Sequence, residues 1–173
     1  MDIYEVIKTR KSVRSYQNRE VPDDVLTRIL DAARLAPSAN NSQEWRYVVV
    51  RNEKTRRKIA EAACRQTFVG EAPVVLACCA KDNRHVMTCG QASYPIDAAI
   101  AIDHITLCAA AEGLGTCWIG AFYENAVKKI LGIPPAIRVV ALLPLGYPQD
   151  PKPGRKLRLS LERIVSYENW RLE

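Results

Sequence analysis

No stretch of this sequence is apolar for the length that a membrane crossing needs. The most apolar run, Ile96 to Ala111, is interrupted by Asp97, Asp103 and His104 and falls short of the roughly 20 residues of a spanning helix. It reads as a buried soluble helix, and no membrane partner is expected. The N-terminal residues MDIYEVIKTRKSVRSY carry Asp2 and Glu5 and no long apolar run, so they do not read as a secretion signal and a cytoplasmic location is expected. The six cysteines (Cys64, Cys78, Cys79, Cys89, Cys108, Cys117) sit mostly within apolar runs, without the spacing of a secreted disulfide framework, which fits reduced thiols. There is no C-x-x-C pair. His85/Cys89 and His104/Cys108 have helical i,i+4 spacing but no acidic helper, so no metal is expected. The vicinal Cys78-Cys79 pair lies in an apolar strand, where packing is the expected role. Ser12 and Ser38 have no His/Asp arrangement nearby in sequence, and hydrolysis has no positive support. G-x-G-x-x-G is missing as well: the glycines of GLGTCWIGAF, residues 113 to 122, precede a strand rather than a helix, which removes support for a Rossmann site. No internal repeat and no linker are found.

What is present is a core-forming composition. The 173 residues are 48% hydrophobic and 25% charged, which predicts one globular domain over 1–173 with a C-terminal extension from about residue 147. Lys+Arg 25 against Asp+Glu 19 gives a net charge of +6 and a pI near 9.1. That balance points to an anionic partner such as a phosphate, a nucleotide or a nucleic acid.

Apolar spacing predicts helices over residues 2–9 and 22–36, the second opened by Pro22 and closed before Pro37. A strand is predicted over Tyr47 to Val50, a basic helix from Glu53 to about Cys64, and a strand over Pro73 to Ala80. Pro95 to Glu112 is apolar nearly all round, as in a helix clamped between layers or subunits. An extended Thr116–Phe122 follows, then a helix over Glu124 to Leu131 and a buried strand over Ile137 to Leu145. The tail carries Pro148, Pro151, Pro153 and Gly154, a basic stretch, and a short amphipathic piece over Leu159 to Trp170. It has too little apolar surface to fold alone and is expected to wrap a second surface.

Four segments could carry chemistry. In TRKSVR, residues 9 to 14, an extended chain puts Arg10, Ser12 and Arg14 on one side. Guanidinium forks and a hydroxyl suit a phosphate, but the hexapeptide is equally a solvated basic helix end. In PSANNSQEW, residues 37 to 45, amides could meet the donors and acceptors of a heteroaromatic ring edge. Turn chemistry explains Asn40 and Asn41 as well, though not Gln43 and Trp45. Gly120 would let a flat ligand approach the backbone closely, or would merely end a strand. Lys156 and Arg158 share a face if extended, or belong to a solvated tail.

Taken together and in order, TRKSVRSY, APSANNSQEW, GLGTCWIGAF, LPLGYP and the late K-x-R resemble the nitroreductase family of FMN-dependent oxidoreductases over almost the whole chain. The resemblance implies an α+β fold with a central, mainly antiparallel sheet flanked by helices, and a homodimer with tightly bound FMN at the subunit interface. It also implies a tail wrapping the partner subunit. By the same resemblance Arg10 and Ser12, with Lys11 between them, match the phosphate and ribityl end. Arg14 matches a basic residue near the pyrimidine edge, and Lys156 and Arg158 complete the phosphate site. From the other subunit, Pro37, Ser38, Ala39 and Asn41 match the loop against the flavin, with Gln43 supporting it. Ile119, Gly120 and Ala121 match the backbone at flavin N5 and O4. Glu44 stands where the family often has proline. A further pyrimidine contact would fall near Arg65 or Gln66, where no motif is found, and Lys81 to Tyr94 is shorter than in larger relatives.

The function so implied is NAD(P)H-dependent reduction of nitroaromatics, quinones or related small acceptors by a ping-pong hydride mechanism. The flavin carries the hydride, so no catalytic acid/base pair is needed. Flavin reduction, reductive dehalogenation and flavin fragmentation are alternatives on the same fold. A nucleic-acid module built on the basic clusters at 10–19 and 152–163, or a thiol or metal sensor, are the alternatives of another class.

Overall fold

A computed structural model describes residues 2–82, 84–152 and 156–171. Its centre is β2 (Val74–Lys81), flanked by β1 (Trp45–Val50) and β4 (Ile137–Gly146), with β3 (Gly115–Thr116) on the outer edge of β4. The order β1-β2-β4-β3 is antiparallel throughout. β2 is buried on both faces. Because side chains alternate along a strand, Val74, Leu76 and Cys78 enter one core while Val75, Ala77 and Cys79 enter another. The two vicinal thiols thus face opposite layers. Burial pushes both thiols up, Cys78 strongly and Cys79 to about 11, as expected for packing groups.

The first core is closed by α2 (Asp23–Arg34) and α5 (Ser93–Ala111). The amphipathic stripe Val25, Leu26, Ile29 and Ala33 of α2 is buried against it. α5 buries Ala98, Ala101, Ile102, Ile105 and Ala109, while Ala99, Ile100, Leu107 and Cys108 remain half-buried and Ile96 is 40% exposed. The second core is closed by α3 (Glu53–Ala62), α4 (Thr67–Glu71) and α6 (Glu124–Leu131). Asn52 caps α3, its Oδ1 accepting the Thr55 N–H at 3.0 Å, a bond typical of helix starts. Gly132 closes α6 with a left-handed φ of 66°, a conformation that suits glycine. α1 (Ile3–Thr9) lies outside these layers with only Val6 buried.

Three segments differ from the sequence expectation. α4 has one turn and no usable period, so no helix was expected there. The extended Thr116–Phe122 pairs with β4 only at Thr116 and Ile119. Pro144 is the reason: its carbonyl accepts the Cys117 N–H at 3.4 Å, but proline has no N–H to return. The amphipathic piece over 159–170 is a single 3-10 turn, Leu161–Arg163, in otherwise irregular chain. Leu157, Leu161, Tyr167 and Trp170 are all 70% or more exposed, and without an apolar surface to pack on, a short helix does not recover its nucleation cost. Of the basic cluster PGRKLR, Pro153, Gly154 and Arg155 lie outside the described residues.

The tail begins as a strap against residues 15–19. Gln17 N–H donates to Tyr147 O at 2.8 Å and Gln149 N–H to Ser15 O at 3.0 Å. Gln17 Nε2 adds Pro148 O at 2.9 Å, and the Arg19 guanidinium sits 3.8 Å over the Tyr147 ring, a cation–π contact.

Glu124, at the start of α6, ties that helix to β4. Its Oε1 accepts the Val139 N–H at 2.9 Å and Lys128 Nζ at 3.1 Å, while Arg138 bridges both carboxylate oxygens and reaches the Tyr94 hydroxyl at 3.1 Å. Burial alone would raise this carboxyl; the bonds to Arg138, Val139 and Lys128 outweigh it and lower it from 4.5 to about 2. A folded-state value below the unfolded one adds stability that is complete above about pH 4.5 and is lost as pH falls toward 2. Glu124→Gln should therefore lower the urea midpoint at pH 7 by the equivalent of about 1.5–3 kcal/mol. The difference should shrink toward pH 2 in parallel titrations of the two proteins.

Candidate active site

The first half of the site forms where α1 ends. Arg10 N–H closes the helix onto Val6 O at 2.8 Å, and the chain then runs extended beside β3. Ser12 bridges Thr116 in parallel and Val13 N–H donates to Thr116 O at 2.9 Å. Val13 is 6% exposed because it occupies the space a side chain at residue 115 would need: a Cβ on Gly115 would stand 2.7 Å from Val13 Cβ. Gly115 is thus required by the docking, not by a turn.

Alternation along this segment separates its side chains into two sets. Burial pushes the Cys117 thiol up, while the charges of Arg14 and Arg10 and the Ser12 hydroxyl act on it in the opposite sense. Lys156 donates to Ile7 O, satisfying a carbonyl at the end of α1. Burial first, then the neighbouring charges of Arg10 and Arg158, hold the Lys156 ammonium below the usual lysine range. Arg10, Ser12, Arg14, Lys156 and Arg158 therefore share one neighbourhood. Among the described residues, none of its four cations forms an ion pair with a carboxylate. Lys11 points the other way, its ammonium donating to Asp150 O at 3.0 Å and to Lys152 O. It anchors the tail rather than joining the cluster. A cleft of about 290 Å³ opens on the Lys11 and Val13 side of the segment, lined by Thr9, Arg10, Lys11, Val13, Thr116, Pro148 and Pro151 among others; of the cluster, Arg10 alone borders it.

The second element is the loop between α2 and β1. Ala39–Asn41 form a 3-10 turn, and Asn40, Asn41 and Gln43 hold φ of 53°, 54° and 50°. Ser38 Oγ accepts the Gln43 N–H at 3.0 Å. Gln43 Nε2 donates to Asn41 O at 3.3 Å, which places Gln43 behind Asn41 as a support. Ala39 N–H donates to Asp97 Oδ1 at 3.1 Å. Pro37 leads into this turn from the end of α2. The loop leads into the edge strand β1, whereas Arg10–Arg14 lies beside the opposite edge strand, β3. Three strand spacings, about 14 Å, separate those edges within one chain.

The third element follows Ile119, which exchanges backbone hydrogen bonds with Leu142 at 2.9 and 3.1 Å. Gly120 is exposed and a Cβ there would meet nothing within 4 Å, so its peptide is open to a ligand. Ala121 O accepts Gln66 Nε2 at 3.2 Å, and Gln66 Nε2 also reaches Ala63 O at 2.9 Å. Gln66, for which the sequence offered no motif, thereby steadies Ala121. It follows Cys64 and Arg65, both at positive φ. Between β2 and α5, Val86 and Ala92 bridge around a tight turn closed by Met87 N–H to Gln91 O at 2.8 Å and Met87 O to Gly90 N–H.

The nitroreductase family model matches residues 7–89 and 62–147 of this chain. A nitroreductase family protein of Clostridium novyi NT of known structure is 41% identical and superimposes with a TM-score of 0.83, over 87% of each chain. FMN reductase [NAD(P)H] of Bacillus subtilis is 32% identical over 96% of this chain and 74% of its own length. Iodotyrosine deiodinase of Thermotoga neapolitana is 28% identical over 87% and 91%. The chain belongs to the nitroreductase family.

Gly115→Ala tests the docking that builds the cation cluster. The added methyl must displace Val13, and overpacking of this kind costs about 1–3 kcal/mol. The urea midpoint should fall accordingly, while Gly120→Ala, at an open position, should leave it unchanged.

Proposed function

We propose that the chain is an FMN-dependent NAD(P)H oxidoreductase, a single FMN-binding unit with an extension from about residue 147, acting as a homodimer on small-molecule acceptors. The observation that carries this reading is the neighbourhood of Arg10, Arg14, Lys156 and Arg158. Four cations gathered with no carboxylate partner among the described residues repel one another, an arrangement that an anion relieves. A phosphate monoester there would meet the Arg10 and Arg158 guanidinium forks, the Lys156 ammonium and the Ser12 hydroxyl. The FMN reductase relative supports that identification of the anion.

The remaining residues fit the rest of such a cofactor. Arg14 lies next along the same face and would put positive charge at the pyrimidine edge, favouring an electron-rich ring. The exposed Gly120 peptide, with Ile119 and Ala121 on either side, would offer backbone polar groups to the ring edge. Bound FMN supplies the hydride chemistry, with NAD(P)H and then a nitroaromatic, quinone or related acceptor using the same space in ping-pong order. Pro37, Ser38, Ala39 and Asn41, backed by Gln43, sit at the opposite sheet edge from Arg10. A second copy of the chain would bring that loop to the ring. The exposed Leu157, Leu161, Tyr167 and Trp170 and the half-buried face of α5 would be covered in the same association. A cytoplasmic location fits the unpaired cysteines. Reductive dehalogenation is a second reading, favoured by the deiodinase relative; turnover of a halogenated phenol against a nitroaromatic separates the two.

The purified protein should show a flavin absorbance spectrum that releases FMN on denaturation and bleaches with NADH or NADPH. Colourless protein that cannot be reconstituted with FMN overturns the reading. Arg10→Ala should weaken FMN binding by about 1.5–3 kcal/mol, the range for a hydrogen bond to a charged group, measured by fluorescence titration. Sedimentation should find a dimer, and a monomer that retains FMN would refute the shared site.

A further inference from the structure

Asp97 is the one charged side chain buried in the core among the described residues, only 4% exposed. It stands one turn into α5 among Ile96, Ala98 and Ala99. Its Oδ1 accepts the Ala39 N–H at 3.1 Å, and its Oδ2 is shielded with no hydrogen-bond partner among the described residues. A carboxylate with one oxygen desolvated and unsatisfied costs stability, so a residue serving only to pack α5 would be apolar.

What Asp97 provides is a bond across 58 residues of sequence. Among the described residues, the other hydrogen bonds of residues 37–43 are local. Asn41 N–H goes to Ser38 O, and Ser42 N–H to Ala39 O. Gln43 binds Ser38 Oγ and Asn41 O, and Gln43 O receives Arg46. Ser42 Oγ is buried without a partner among the described residues and adds no tether. Three non-glycine residues of this loop hold positive φ, a conformation that persists only where the surroundings over-determine it. α5, the element that carries Asp97, is itself fixed by packing against the sheet.

We infer that Asp97 is a positioning residue: through the Ala39 amide, it holds the 37–43 loop in the shape that receives the flavin. The loop's role rests on the function proposed above; the tether is a property of the empty chain. An N–H donated to an ionised carboxylate is stronger than one donated to a neutral oxygen, which accounts for an acid at this position.

The test is amide hydrogen exchange in the FMN-free full chain, followed by FMN titration. In Asp97→Ala, exchange across 38–43 should quicken at least tenfold while the β1 and β2 amides keep their protection. Asp97→Asn, which retains an acceptor oxygen, should restore most of that protection. Ala39→Pro removes the donor at a site where Ser38 is already extended, with φ −145° and ψ 157°. It should free Asn41 to Gln43 without disturbing α5, and it decides the matter should Asp97→Ala not fold. With FMN, Asp97→Ala should bind at least tenfold more weakly and show altered visible circular dichroism, and Asp97→Asn should recover both. Wild-type exchange across 38–43 in Asp97→Ala, or in Ala39→Pro, overturns the inference. If exchange responds but the wild-type chain binds no FMN, the tether stands and the proposed function falls.

Discussion

β2 has no side facing water. A strand buried on both faces requires a layer on each, and alternation of side chains then fixes which residue serves which layer. Everything that positions the site follows from this. α2 and α5 must cover one face, and the loop joining α2 to β1 must cross from that layer to the sheet edge. α3, α4 and α6 must cover the other face, which carries Gln66 to Ala121. Antiparallel pairing on both sides of β2 leaves β1 and the short β3 as edges, and each edge holds one segment of the candidate site.

Electrostatics and packing are separated along the segment from Arg10 to Arg14. The apolar residue, Val13, enters the gap over Gly115 and supplies the rigidity. Arg10, Ser12 and Arg14 are turned away from it and are free for chemistry. Lys11, between them, is turned with Val13 and holds the tail instead. A period of two thus allots adjacent residues to different tasks, and the same arithmetic separates Cys78 from Cys79.

Most of this was legible in the sequence because the elements are long and strongly patterned. The stripes of α2 and α6, the apolar run of α5 and the buried strands β2 and β4 all lie where periodicity put them. The setting of Arg10, Ser12 and Arg14 apart from Lys11 and Val13 was legible as alternation at 10, 12 and 14. What escaped has specific causes. α4 is too short to show a period. The break after Thr116 is set by Pro144, on a strand 28 residues away, so only the pairing reveals it. Lys11 was grouped with its neighbours because a run of basic residues does not show which way each points. Gln66 and Asp97 act through backbone groups of remote segments, and nothing local marks them; Asp97 registered only as an interruption of an apolar run.

The strap between residues 15–19 and 147–149 joins segments 131 residues apart in sequence, as in Gln17 with Pro148. Lys156, which shares a neighbourhood with Arg10, binds the carbonyl of Ile7 from 149 residues further on. Contacts of such separation form late and slowly. Without residues 147–149, Lys156 and Arg158, Arg10 and Arg14 would lack the cations and the strap that complete their surroundings. The surroundings of Arg10 are therefore among the last parts of the fold to become ordered, after the sheet that they border.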